Sequence, residues 1–387
     1  VMRPVTDRHQ ISRPKLAYLI DATAAPVCMI APISSWAAAV SSTAEDLDTG
    51  ISGIQLFIRA IPYNFYSLLT FVFIITLTLL KFDYGPMRGF EERARNTGDL
   101  SGSAGSTEEN ANPKGRVIDL VIPVIMLIIL CTIGMLYVGG FFGADTSGCT
   151  DYAGDFIGAF GNTDAFVGLP WGGIIALVLT VIYLVARRVV GFREAMGCIP
   201  KGFQAMISPI IILTLAVSLK TTLNALGAAD YVHDLMYAAS EGLYNMLPAV
   251  IFLVACVLAF ASGTSWGTFG ILLPIVTYVF DPSSSLFIIG VSACLAGAVF
   301  GDHCSPISDT TIMASAGAMC NHVNHVSTQL PYAGTVGIIC FVNYILAGFI
   351  QNVYICLAIG AVLVVAALFV IRAITAKKPL PGFEDVA

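Results

Sequence analysis

The chain has 387 residues, of which 57% are hydrophobic and only 11% charged, with a mean hydropathy of +0.82, a balance that excludes an ordinary soluble globular domain. The formal net charge of -6 is a weak guide in so apolar a chain, where the placement of charge matters more than its sum. Ten cysteines form no CxxC pair, and nine of them, all but Cys149, lie in or beside apolar stretches, so they read as small core residues rather than a disulfide framework or zinc site.

In chain order, the sequence opens at Val1 with the polar stretch VMRPVTDRHQISRPK, without a secretory pattern, and a further segment is expected before it. Long apolar runs follow near 62–80, 118–139, 170–186, 204–223, 333–350 and 352–371, each close to the roughly 20 residues that cross a hydrocarbon core. Three more stretches, about 15–40, 245–280 and 286–320, are apolar but interrupted by Gly, Pro, Ser and Thr. The segment 81–117 balances six basic against six acidic residues, is rich in Gly and Ser, and reads as a disordered linker. The predicted organisation is a first repeat over 1–80, the linker 81–117, scaffold spans over 118–223, a second repeat over 245–371 and a tail over 372–387.

Orientation follows from the cations. Segments 1–15, 81–117, 187–203 and 372–387 hold 17 of the 19 Lys and Arg residues, whereas 140–169 and 224–242 hold none and carry seven acids. The first set is predicted to be cytoplasmic. Both ends lie on that side only if one of the two segments 245–280 and 286–320 fails to cross. The expected re-entrant hairpin is 245–280, whose tip SGTSWGTFG (Ser262 to Gly270) has three glycines for a reversal, with 286–320 crossing as a broken helix. AAPVCMIAPISS (Ala24 to Ser35) is similar to CSPISDTTIMAS (Cys304 to Ser315), and IPYN at Ile61 to LPYA at Leu330, so 15–40 is predicted to be a second broken helix in a unit of opposite polarity. Inverted repeats of this kind place a substrate near the bilayer midplane.

The densest polar sequence inside apolar surroundings is GDHCSPISDTT, from Gly301 to Thr311. Carboxylates at membrane depth mark a site by default. A sodium ion takes hard oxygen ligands, and a broken helix offers freed carbonyls with Ser, Thr and Asp side chains. Asp302, Asp309, Ser305, Ser308, Thr310 and Thr311 form one side of the candidate site, with Asp302 and Asp309 as the sodium-holding carboxylates. Thr264, Ser265 and Thr268 at the hairpin tip form the other, and Asp21 and Thr23 are candidates from the first break. Lys220, in LAVSLKTTLNALG, is a candidate for pairing with a site carboxylate if buried, or a snorkelling residue if not. The alternative for Asp302 and Asp309 is plain helix capping. His303 adjoins the site, and packing or hydrogen bonding is an equally good account of it. His322 and His325 form an HxxH in a predicted cytoplasmic loop, without the acidic partner of HExxH that a metal site would use, and Trp266 reads as a packing residue.

GTSWGTFG, GDHCSPISDTT with the following HVNHVSTQLPYA, and DATAAPVCMIAPISSW together resemble the NhaC-type sodium/proton antiporters, from Val1 to about Ile371. The resemblance implies an all-α polytopic membrane protein with inverted repeats, broken helices and a re-entrant hairpin, placed in the cytoplasmic membrane and exchanging sodium for protons. It implies no cofactor and no nucleic acid. The expected partners are membrane lipid, sodium ions and protons, with a homodimer as one compatible assembly. Some members of similar sequence exchange organic acids or amino acids with sodium, and a fixed cation in the cavity is the feature that would separate the two. An intact member would carry further helices and site residues before Val1. An intramembrane enzyme would need a nucleophile with its base or a metal triad, and neither HExxH nor GxSxG is present.

Overall fold

The computed structural model describes residues 3–31, 53–100, 118–145, 150–204 and 244–375, with scattered positions between them. Among these residues the secondary structure is helical throughout, without strands. The helices are α1 (Arg3–Arg8), α2 (Arg13–Ile30), α3 (Gly53–Ala60), α4 (Phe65–Leu80), α5 (Pro86–Thr97), α6 (Ile118–Val138), α7 (Phe156–Gly161) and α8 (Ala165–Ala186). After the predicted span 204–223 and Lys220, which lie almost wholly outside the described residues, come α9 (Leu247–Ser262), α10 (Ser265–Val279), α11 (Ser285–Cys304), α12 (Asp309–Ala318), α13 (His322–Ile350) and α14 (Val353–Thr375). Among the described residues, six helical segments are long and apolar enough to cross a bilayer, or seven if the pair before and after Asn64, bent by 45°, counts as one more. The protein is an all-α, multi-pass membrane protein.

Local sequence sets the ends of the central elements. Asn64 accepts from the Ser67 amide to start α4, and Ser284 accepts from the Leu286 amide to start α11. Asn321 takes the amides of both Val323 and Asn324 at the start of α13. Gly263 ends α9 in the left-handed region at φ +62, and Thr264 immediately caps α10 by accepting from the Gly267 amide.

That double cap makes a hairpin, as the contacts on α11 prove. Gly297 lies against Phe252 and Ala255, Gly301 against Cys256 and Ala259, and the Ser305 hydroxyl donates to the Phe260 carbonyl at 2.8 Å. Residue numbers rise together, so α9 and α11 run parallel. On α10 the order reverses: Gly290 meets Phe280 and Val276, whereas the Ser265 hydroxyl reaches Ala298 and Asp302. The chain therefore goes down α9 and returns along α10, and the rings of Tyr244 and Phe280 come within 5.5 Å where the two ends meet again. The core is built on this hairpin, α11, α13, α2 and α4, with Tyr18, Phe65, Phe252, Phe287 and Tyr344 among its fully buried side chains.

Several expectations need correction. Asp21 and Thr23 lie inside α2 and not in a break: the helix runs through Pro26 to Ile30, because a proline inside a helix forfeits one backbone bond, which a packed membrane helix tolerates. The interruption within 15–40 comes after Ile30, before the helical Trp36 and Ala37. Pro306 by contrast sits between α11 and α12. The IPY residues form a 3-10 turn, whereas the matching LPYA lies inside α13, so similarity of sequence here does not carry a common local structure. The linker 81–117 is not all disordered, since α5 is a helix that buries Met87, Phe90, Glu91 and Ala94. The predicted loop holding His322 and His325 is the first turn of α13, which runs without interruption for 29 residues.

Candidate ion site

The hairpin tip and the break between α11 and α12 meet. A Cβ on Gly263 would stand 2.6 Å from the Ile307 side chain and 2.8 Å from its carbonyl oxygen, so glycine is required there by both space and backbone. At this junction the Ser265 hydroxyl donates to Asp302 Oδ2 at 2.6 Å, and Asp302 is 2% exposed. Ser305 and Ser308 are fully buried beside it, and the Ser308 and Thr310 hydroxyls lie 3.0 Å apart. Asp309 is the first residue of α12, and its Oδ1 accepts from the Thr310 amide at 2.9 Å. That contact is the capping use of an acid at a helix N-terminus.

A second buried carboxylate lies behind the first. Asp21, on α2, has Oδ2 at 3.3 Å from His325 Nε2 and at 3.9 Å from His303 Nε2, and it accepts from Gln329 Nε2 at 3.0 Å. Gln329 also donates to the His303 carbonyl, and the Tyr66 hydroxyl lies 2.6 Å from His303 Nδ1. Because Asp302 and His303 are consecutive, the last turn of α11 carries both clusters. Four oxygens there, Asp302 Oδ1, Asp21 Oδ1, Thr311 Oγ1 and Gln329 Oε1, are buried without a hydrogen-bond partner. Buried oxygens left in this way invite a donor or a hard cation. Among the described residues no group of three or more His, Cys, Asp or Glu is arranged to hold a metal ion, so the HxxH pair has no metal-site geometry.

The predicted residues divide accordingly. Asp302, Ser265, Ser305, Ser308, Thr310, Thr311 and Asp309 gather at the junction. Thr264 spends its hydroxyl on capping α10, and Thr268, although buried, donates to the Thr264 carbonyl. Thr23 is exposed and donates to the Leu19 carbonyl at 2.6 Å, on the opposite face from Asp21. Lys220 lies outside the described residues. Sequence reasoning missed Tyr66 and Gln329 and placed His325 in a loop, where the structure buries it completely. The signal was present: His325, Gln329 and Tyr332 fall at helical spacing on one face of an apolar segment.

The Na+/H+ antiporter family matches the sequence over residues 27–349. The chain belongs to that family. Membership makes it a sodium-coupled transporter. An uncharacterized protein of Haemophilus influenzae is 34% identical over 379 residues, which take in 96% of this chain and 71% of that one. The Malate-2H(+)/Na(+)-lactate antiporter of Bacillus subtilis is 25% identical over 205 residues, covering 51% of this chain and 42% of that protein. No solved structure matches.

Proposed function

We propose that the intact transporter exchanges sodium for protons across the cytoplasmic membrane, the two cations competing for Asp302. What supports this reading is one contact, the Ser265 hydroxyl on a carboxylate that is otherwise enclosed at the meeting of the hairpin tip and the helix break. Sodium would sit on Asp302 with the hydroxyl oxygens of Ser265, Ser308 and Thr311, and a proton on the same carboxylate would displace it. Asp302→Asn should abolish sodium-dependent proton movement in inverted vesicles while leaving the protein in the membrane. Normal exchange by that variant would remove Asp302 from the mechanism.

The cation distribution supports placing both ends in the cytoplasm. A tag within 101–115 should then react only from the cytoplasmic side and one within 140–169 only from outside, and the opposite labelling would invert the topology. The name of the Bacillus subtilis relative favours a second reading, sodium-coupled exchange of a small organic acid. Its test is sodium-dependent entry of labelled lactate or malate into vesicles. Entry that persists in protein-free vesicles would count against it.

A further inference from the structure

At one end of the bundle, residues of α5, of the end of α4 and of the end of α14 line a cleft of about 230 Å³. The cleft is lined by Lys81 at the end of α4, Arg88 and Arg95 on α5, and Arg372 in the last turn of α14. Three acids share the lining, but each already faces a cation. Lys15 from α2 reaches Asp83 at 2.8 Å and Glu91 at 3.5 Å, and Arg88 binds Glu92 at 3.0 Å while also donating to the Thr375 carbonyl. Arg95 keeps only a long pairing of 3.7 Å with Glu91 and is 55% exposed. The side chains of Lys81 and Arg372 form no hydrogen bond or ion pair with the described residues, the Lys81 amide being used only to cap α4 on the Thr78 carbonyl. Basic residues often decorate the ends of membrane helices singly, as partners of the last carbonyls or of the lipid surface. Here three elements bring them to one concavity, with the neighbouring acids already neutralised.

We propose that this cleft binds a phosphate-bearing anion, with Lys81, Arg95 and Arg372 as its contacts and Arg88, Glu91 and Glu92 as the wall that holds them. Lys81 and Arg372 both stand where a spanning helix ends, at the depth of lipid headgroups, so the phosphodiester of an anionic phospholipid is the natural source, and free phosphate is the other. The site lies apart from Asp302, and the proposal goes beyond the exchange reading without depending on it.

The test uses the whole protein in nanodiscs of phosphatidylcholine, with and without phosphatidylglycerol, and separately with inorganic phosphate added to the neutral discs. Thermal midpoint and retained lipid by native mass spectrometry are the readouts. Phosphatidylglycerol should be retained and should raise the midpoint by about 2–4 °C in the unaltered protein. Both effects should be absent in K81Q/R372Q and reduced in R95Q, with K81R/R372K restoring them. R193Q/K201Q, which removes exposed cations elsewhere on the chain, should respond like the unaltered protein. A midpoint shift with inorganic phosphate alone, lost in K81Q/R372Q, would support the site and name soluble phosphate as its occupant. Equal responses of K81Q/R372Q and the unaltered protein in both arms would overturn the proposal, and so would loss of the response in R193Q/K201Q.

Discussion

Two groups of helices, the pair α6 and α8 and the hairpin helices with α11, are both apolar and do opposite things. In the span window of α11, 83% of positions are buried inside the protein, against 17% in α6 and 11% in α8. α6 and α8 pack chiefly on each other through Gly134, Gly168 and Gly172 and turn Ile128, Tyr137, Trp171 and Ile182 outward. Their side chains are large because lipid is indifferent to size. α11 instead reads SLFIIGVSACLAGAVFGDHC, rich in Gly, Ala and Ser, because the backbone of α9 comes within contact of it at Gly297 and Gly301. Apolarity alone thus says that a segment is in the membrane. Residue size says whether it faces lipid or protein, and the buried polar groups follow the small residues.

The contrast can be broken most severely at a glycine. Gly301→Leu would drive a side chain into the Cys256 carbonyl and Ala259, and overpacking against backbone should cost about 3 kcal/mol or more, read as loss of monodisperse protein in fluorescence-detected size exclusion. Survival of normally folded protein would mean that the hairpin and α11 are less closely joined than described. A smaller effect is expected where chemistry rather than packing is removed. Ser265→Ala deletes the donor to Asp302, so half-maximal exchange should need about tenfold more sodium, ~1.4 kcal/mol, with the maximal rate retained. An unchanged sodium dependence would mean that this hydroxyl does not serve the ion. The smallest effect belongs to the lipid-facing pair: Gly173 has nothing within 4 Å of its would-be Cβ, and Gly173→Leu should change stability by about 0.5 kcal/mol or less in a thermal-shift assay.

Much of this was legible in the sequence, for reasons that can be named. The three glycines of Ser262 to Gly270 marked a reversal, and Gly263 with Thr264 is the pair of caps that makes it. Asp302 and Ser265 could be paired in advance because both sit in polar islands within apolar runs. The second carboxylate cluster was harder. Asp21 was visible, but its partners come from α13, whose start was hidden by the polar HVNHVSTQ sequence. Polar residues that face each other across a helix interface look, in one dimension, like a loop. The repeat motif put Asp21 and Thr23 at a break, but a proline marks a break only if the surrounding packing leaves room for one, and α2 continues past Pro26 to Ile30 before it is interrupted.

The glycines of α11 also fix what this part of the molecule can do mechanically. At Gly297 and Gly301 the facing surface is the backbone of α9 itself, with a Cβ on Gly297 only 2.5 Å from the Phe252 carbonyl oxygen. Such a seam has no side chains to change rotamer and no slack to slide through. This seam therefore holds α9 and α11 closely together, and Ser305 adds a bond to the Phe260 carbonyl across it. Any hinge must lie at a seam made of side chains, such as the one where Lys15 of α2 and Tyr332 of α13 both grip Asp83. Those bonds can be exchanged for water, one at a time.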